Sequence, residues 1–152
     1  MKKLILLCAA VLTVTLTACR IVDGGERGFH DVPDGARRRM LQESARLGDG
    51  ILTAFRKGDF GSLLRNVPGE LGEQMTEKDF QTSCRNFREK FGELREFRLL
   101  TALETPAFGN LIWAVTFVKS GSGGAEIRRQ LLFRLVTIEV DGKTQVVSFG
   151  FM

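Results

Sequence analysis

The sequence predicts an α+β domain, with N-terminal helices packed on a four-stranded antiparallel meander sheet. Three observations predict it. Apolar residues recur at three- and four-residue spacing between Met40 and Phe91, which puts them on one side of successive helices. From Leu94 the period drops to two, in runs enriched in β-branched and aromatic residues. The runs are joined by connections shorter than the roughly twelve residues that a parallel crossover needs.

The first helix is expected to open near Asp34, a capping residue after Pro33, and to run to about Lys57. Met40, Leu41, Ser44, Leu47, Ile51, Leu52 and Phe55 form its inner stripe, with Arg38, Arg39, Glu43 and Arg46 mostly off it. Gly48 and Gly50 each cost a helix up to about 1 kcal/mol relative to alanine, so they mark a close contact or a bend. Gly58-Asp59 reads as a stop followed by a new cap, and Phe60, Leu63, Leu64 and Val67 as a short second helix ended by Pro68-Gly69. Thr76-Glu77-Lys78-Asp79 has the form of a capping box that opens a third helix. Its inner face is Phe80, Cys84, Phe87 and Phe91.

Four strand runs follow, "LREFRLLTALE", "LIWAVTFVK", "EIRRQLLFRLVTIEV" and "KTQVVSFGFM". Asp141-Gly142 between the last two is a tight-hairpin signal. Residues 105–110 and the "SGSGGA" of 120–125 supply the other turns. One face is expected to gather Phe97, Leu99 and Leu103, then Trp113, Val115 and Phe117, then Leu131, Phe133 and Leu135. The other mixes Arg98, Arg128 and Arg134 with apolar residues. Residues 36–152 make one domain, since a chain of this length has one core and not two.

The segment before it reads as export and tether. Lys2 and Lys3 precede an apolar run that ends in small residues at Cys19. From Leu4 to Cys19 the uncharged run is sixteen residues, short of the roughly twenty that span a bilayer as a helix. Leu16-Thr17-Ala18-Cys19 closely resembles the lipobox of bacterial lipoproteins. The resemblance implies removal of residues 1–18, a diacylglycerol on the Cys19 sulfur and an acyl chain on its new amino group. Two or more acyl chains hold a protein on a membrane, whereas one binds only marginally. The implied location is the cell envelope; Arg20 in place of Asp resembles the pattern sent to the outer membrane where an organism has two. Residues 19–35 then form a flexible tether with four glycines, a proline and six charges in 20–35. It holds His30, the chain's one histidine.

Composition excludes several functions. With Cys8 removed and Cys19 acylated, Cys84 is the one thiol left, so no internal disulfide forms. Placed in a phenylalanine stripe, it reads as a small buried hydrophobe. Without Lys2 and Lys3 the net charge falls from +4 to +2, with acids among the basic residues, so nucleic acid is not an expected partner. One histidine and one free cysteine do not build a usual zinc site or a nucleophile–histidine pair in the domain. "GSGG" at 121–124 lacks the context of a phosphate loop and reads as a hairpin turn.

The domain resembles the cone-shaped nuclear-transport-factor-2-like (cystatin-like) superfamily, and within it small secreted bacterial domains of unknown function. The residues that carry the resemblance are "AFRKGDFGSLL" (54–64), "EQMTEKDFQTSCRNFREKFGELREF" (73–97) and "IEVDGKTQVVSFGF" (138–151). The family often has a tryptophan after the last hairpin turn; here that place holds Thr144 or Gln145. Such cones frequently enclose a pocket between helices and sheet, and related cones pair through the open sheet face. The resemblance therefore implies a pocket and a homodimer. Phe87, Phe91, Thr101, Trp113 and Phe133 are the expected lining, although Trp113 in an alternating strand reads first as core. Thr116, Thr137 and Ser148 are also strand hydroxyls within reach of such a pocket.

Some members of the superfamily are isomerases, cyclases or dehydratases. An isomerase needs a carboxylate or histidine base inside the cone and commonly a phenol or acid for the enolate. This chain has no tyrosine, and Glu104, Glu126 and Glu139 lie at strand ends or beside a turn. No catalytic residue, cofactor or metal is assigned. The expected function is a membrane-tethered, non-catalytic module for an envelope protein or a small apolar ligand. The alternative is an isomerase-like enzyme using a strand carboxylate such as Glu104. Mass spectrometry of the mature amino terminus checks the anchor: the first residue is expected to be Cys19 carrying lipid, and an unmodified Cys19 refutes it.

Overall fold

The computed structural model describes residues 34–104 and 108–152. The expected signal, Cys19, the tether up to residue 33 with His30, and residues 105–107 lie outside the described residues. Helix α1 (Asp34–Lys57) opens at Asp34 and ends at Lys57, as expected. Met40, Ser44, Leu47, Ile51 and Leu52 are buried along its stripe, and Leu41 and Phe55 are half-buried.

Gly58 ends α1 in the left-handed region, at φ 67°, where glycine carries no steric cost. Asp59 then caps α2 (Phe60–Arg65), its Oδ1 accepting from the Ser62 N–H at 2.9 Å. A single turn, α3 (Glu70–Glu73), follows Gly69. The sequence reading has no counterpart for it, because four residues are too few to show a period. Thr76 caps α4 (Glu77–Phe91) as the capping box predicts, accepting from the Asp79 N–H at 3.2 Å. Its stripe is as expected, with Phe80 and Cys84 buried and Phe87 and Phe91 half-buried. Gln81 Nε2 donates to the Gly58 carbonyl at 2.8 Å and ties α4 to the end of α1.

The strands are β1 (Glu93–Glu104), β2 (Gly109–Ser120), β3 (Glu126–Val140) and β4 (Lys143–Phe151). They form one antiparallel sheet in the order β1-β2-β3-β4, the predicted meander. Asp141 and Gly142 both have positive φ, 51° and 72°, as a type I′ hairpin requires. Residues 109–120 pair with 137–126 in unbroken register, whereas the β1–β2 and β3–β4 pairings contain register shifts.

One of those shifts corrects the face assignment of β1. Between Leu99 and Thr101 an extra residue bulges, so Ala102 falls opposite Leu111 and Leu103 opposite Asn110. Because side chains alternate with period two, one inserted residue moves everything after it to the other face. Leu103 is therefore turned from the core and 50% exposed. Leu99 stays opposite Trp113 but on the edge strand, and is 42% exposed. Trp113, Val115, Phe117, Phe133 and Leu135 are buried as expected, and Phe97 and Leu131 are half-buried.

Helix α1 is locked to the central strands at two points. Ser44 and Thr137 are both fully buried, with their hydroxyl oxygens 2.7 Å apart. Ser44 gives its own proton to the Met40 carbonyl at 2.7 Å, so Thr137 is the donor between the two. One turn on, a Cβ at Gly48 would overlap the six-membered ring of Trp113. The neighbouring Asp49 accepts from that indole, Nε1 to Oδ1 at 2.8 Å. Gly48 thus marks a close contact, and α1 runs through it as one continuous helix.

Two substitutions test this lock. In an open helix Gly48→Ala would gain about 1 kcal/mol of propensity; here overpacking against Trp113 costs about 1–3 kcal/mol and wins. Thermal unfolding should show a lower Tm, and a raised one would refute the contact. Ser44→Ala leaves the buried Thr137 hydroxyl without its acceptor and is expected to cost about 1–3 kcal/mol by denaturant unfolding.

Candidate functional site

A cavity of about 480 Å³ opens between α1, α4 and the β3–β4 end of the sheet. Helix α1 supplies Ile51, Leu52 and Phe55, and α4 supplies Phe80 and Phe87, which lie seven residues apart on its inner stripe. Strand β3 contributes Phe133, and β4 contributes Phe149 and Phe151, which share a face because they are two residues apart. The rings form one connected set. Phe87 and Phe151 centroids are 4.6 Å apart, Phe55 and Phe151 5.2 Å, and Phe133 and Phe151 5.4 Å. Met75 and Leu63 complete the apolar wall.

The polar side chains in the lining, Gln74, Thr76, Asp79 and Ser83, all come from α4 and the residues just before it. The Thr76 hydroxyl donates to Asp79 Oδ2 at 2.7 Å. Asp79 and Ser83 lie at i and i+4 of α4, so they share a helix face. An apolar cavity of this size with a few polar groups on its rim is the ordinary form of a small-molecule site.

Of the five residues expected to line a pocket, Phe87 and Phe133 do. Phe91 lies one turn further along α4 and packs on Phe87 and Phe117, at 5.4 and 5.9 Å. Trp113 is buried in the core, 5.8 Å from Phe133, with its N–H held by Asp49. Thr101 is exposed and pairs with Ile112, because the bulge at Leu100 turns it from the helices. Thr137 is used by Ser44, and Ser148 is exposed. Phe149 and Phe151 are the main omission; their alternation in "FGF" was the available signal.

The carboxylates do not assemble a base inside the cavity among the described residues. Glu126 and Glu139 are exposed. Glu104 ends β1, and its side chain lies outside the described residues. The acid in the lining is Asp79, which is exposed. Glu43 sits below the ordinary carboxyl range because Arg46 donates to both of its oxygens, at 2.9 and 2.7 Å. Asp59 is lowered by its bonds from Ser62. Neither lines the cavity. Among the described residues no three His, Cys, Asp or Glu side chains cluster to hold a metal, and no helix is long and apolar enough to cross a membrane.

No protein-family model matches this chain, and no curated protein sequence does. Among solved structures it is similar to a nuclear-transport-factor-2-like protein of unknown function from Shewanella oneidensis. The identity is 11%, over 72% of this chain and 96% of that one, with a TM-score of 0.43. It is also similar to a SEC-C motif-containing protein from Rhodopseudomonas palustris, at 18% identity over 66% of this chain and 71% of that one, with a TM-score of 0.40. These likenesses concern the fold alone. The α+β class itself rests on this chain's helices and its four-stranded antiparallel sheet.

Cys84 borders the phenylalanine cluster, buried, with its sulfur 3.7 Å from the Phe55 carbonyl. Burial raises its pKa above the ordinary 9.0. The unfolded chain therefore loses this proton first as pH rises. Stability linked to Cys84 is full below the ordinary thiol value and falls above it. Native Cys84 is expected to react with a thiol reagent far more slowly than the denatured chain near pH 8. Rapid native labelling would overturn this placement.

Proposed function

We propose that the protein is a lipid-anchored module of the cell envelope that binds a small, largely apolar molecule in the phenylalanine cavity. The observation that carries the binding role is the cavity itself, about 480 Å³ with six phenylalanines in its wall and polar groups on one rim. Burial of apolar surface drives such binding, at about 25 cal/mol per Å² removed from water. The rim hydroxyls, amide and carboxylate orient the bound molecule. The anchor is supported by Leu16-Thr17-Ala18-Cys19 and the charged and apolar segments before it.

The isomerase alternative requires a base among substrate-facing groups. The one lining acid, Asp79, is exposed and bonded to Thr76, which favours a rim contact over proton abstraction from a desolvated substrate. The binding role is tested with a neutral fluorescent apolar probe and the purified protein. The wild type is expected to bind it saturably. Ser83→Trp places an indole at the rim from an exposed position, so it should weaken binding at least about tenfold with an unchanged Tm. Probe binding unaffected by Ser83→Trp would place the site elsewhere.

A further inference from the structure

The cavity has a sign as well as a shape. Among its described lining residues the ionisable side chain is Asp79; lysine, arginine and histidine are absent from that lining. Oδ2 of Asp79 accepts from the Thr76 hydroxyl at 2.7 Å, which orients this exposed carboxylate at the cavity rim. The positive end of α4 offsets only part of this charge, because about half a unit of positive charge is shared between the two first-turn carboxylates, Glu77 and Asp79. Behind the rim stand six phenylalanine rings, and a ring face attracts a cation and repels an anion. Both features point the same way. A carboxylate-headed ligand brought to this rim would sit beside a like charge, whereas an ammonium would meet an opposite charge over aromatic walls.

We propose, on the reading of the cavity as a ligand site, that it selects amphiphiles by head-group charge. It takes a protonated amine first and a neutral hydroxyl second, and it disfavours a carboxylate. The apolar tail lies among Phe55, Phe87, Phe133 and Phe151, and the head lies at Asp79. Fatty acids are thereby excluded as the preferred ligands, and apolar amines are favoured.

Three molecules that share one tail test the proposal: decylamine, decanol and decanoate, each displacing a neutral fluorescent probe from the purified protein. Near pH 7 the amine is cationic and the carboxylate anionic. The amine is expected to bind roughly five- to tenfold more tightly than the alcohol, and the alcohol more tightly than the carboxylate. Asp79→Asn should bring the amine to within about twofold of the alcohol. The wild-type ranking requires no variant, so it decides the matter even if Asp79→Asn fails to fold. Decanol uptake with decanoate bound as well as decylamine overturns the charge selection and keeps the ligand-site reading. An amine preference that survives in Asp79→Asn also overturns it. Failure of the probe and all three molecules to bind overturns both. So does sedimentation of a protein pair that excludes the probe, because a second copy then fills the cavity.

Discussion

The distance at which α1 rides over the sheet is fixed by the contact between Gly48 and the indole of Trp113. No side chain fits between them. The same indole is held from the adjacent residue by Asp49, so the ring cannot rotate away to relieve pressure. One turn earlier Ser44 and Thr137 join the helix to β3 through a buried pair of hydroxyls. Two neighbouring turns of α1 are thus registered on the two central strands. The next two turns carry Ile51, Leu52 and Phe55 to the cavity wall. The cavity wall inherits its position from a glycine that does not touch it.

The wall itself is unusual mainly in its uniformity. Flat rings in edge and tilted contact cannot interdigitate as aliphatic chains do, and in well-packed interiors voids larger than a water are few. Phe55, Phe87 and Phe151 meet from α1, α4 and β4, so three separate elements must be docked before the space between them has a shape. Each ring has only a few χ1 rotamers, and contact with its neighbours narrows them further. The polar side chains of the lining come from one stretch of chain, and two of them, Thr76 and Asp79, belong to the cap that starts α4. The same two residues that begin the helix therefore give the cavity its orientation.

What could be read from the sequence was what short-range chemistry decides. The Thr76 cap, the Gly58-Asp59 break, the Asp141-Gly142 hairpin and the inner stripes of α1 and α4 follow from local rules and stand as read. Gly48 also declared itself, since a glycine inside a strong helix needs a reason. The bulge at Leu100 did not, because "FRLLTALE" alternates plausibly in either register. It moved Thr101 and Leu103 to the other face. The cavity was half legible for a related reason: Phe87 and Phe133 are named by periodicity within one element, but which phenylalanines surround a space depends on how four elements dock. Phe91 falls just outside by one turn of α4, and Trp113 by one strand of the sheet.

The register shifts have a meaning beyond the placement of leucines. Both outer strands of the sheet are interrupted, β1 twice and β4 once opposite the Val136–Thr137 step, while the inner pairing runs unbroken. A long, flat border with Leu99, Leu100 and Leu103 showing would offer ready hydrogen-bonding to any stray chain. A kinked border presents its amides out of line, so a straight newcomer cannot zip along it. The irregularities that cost the sheet a few bonds keep it from growing into a polymer.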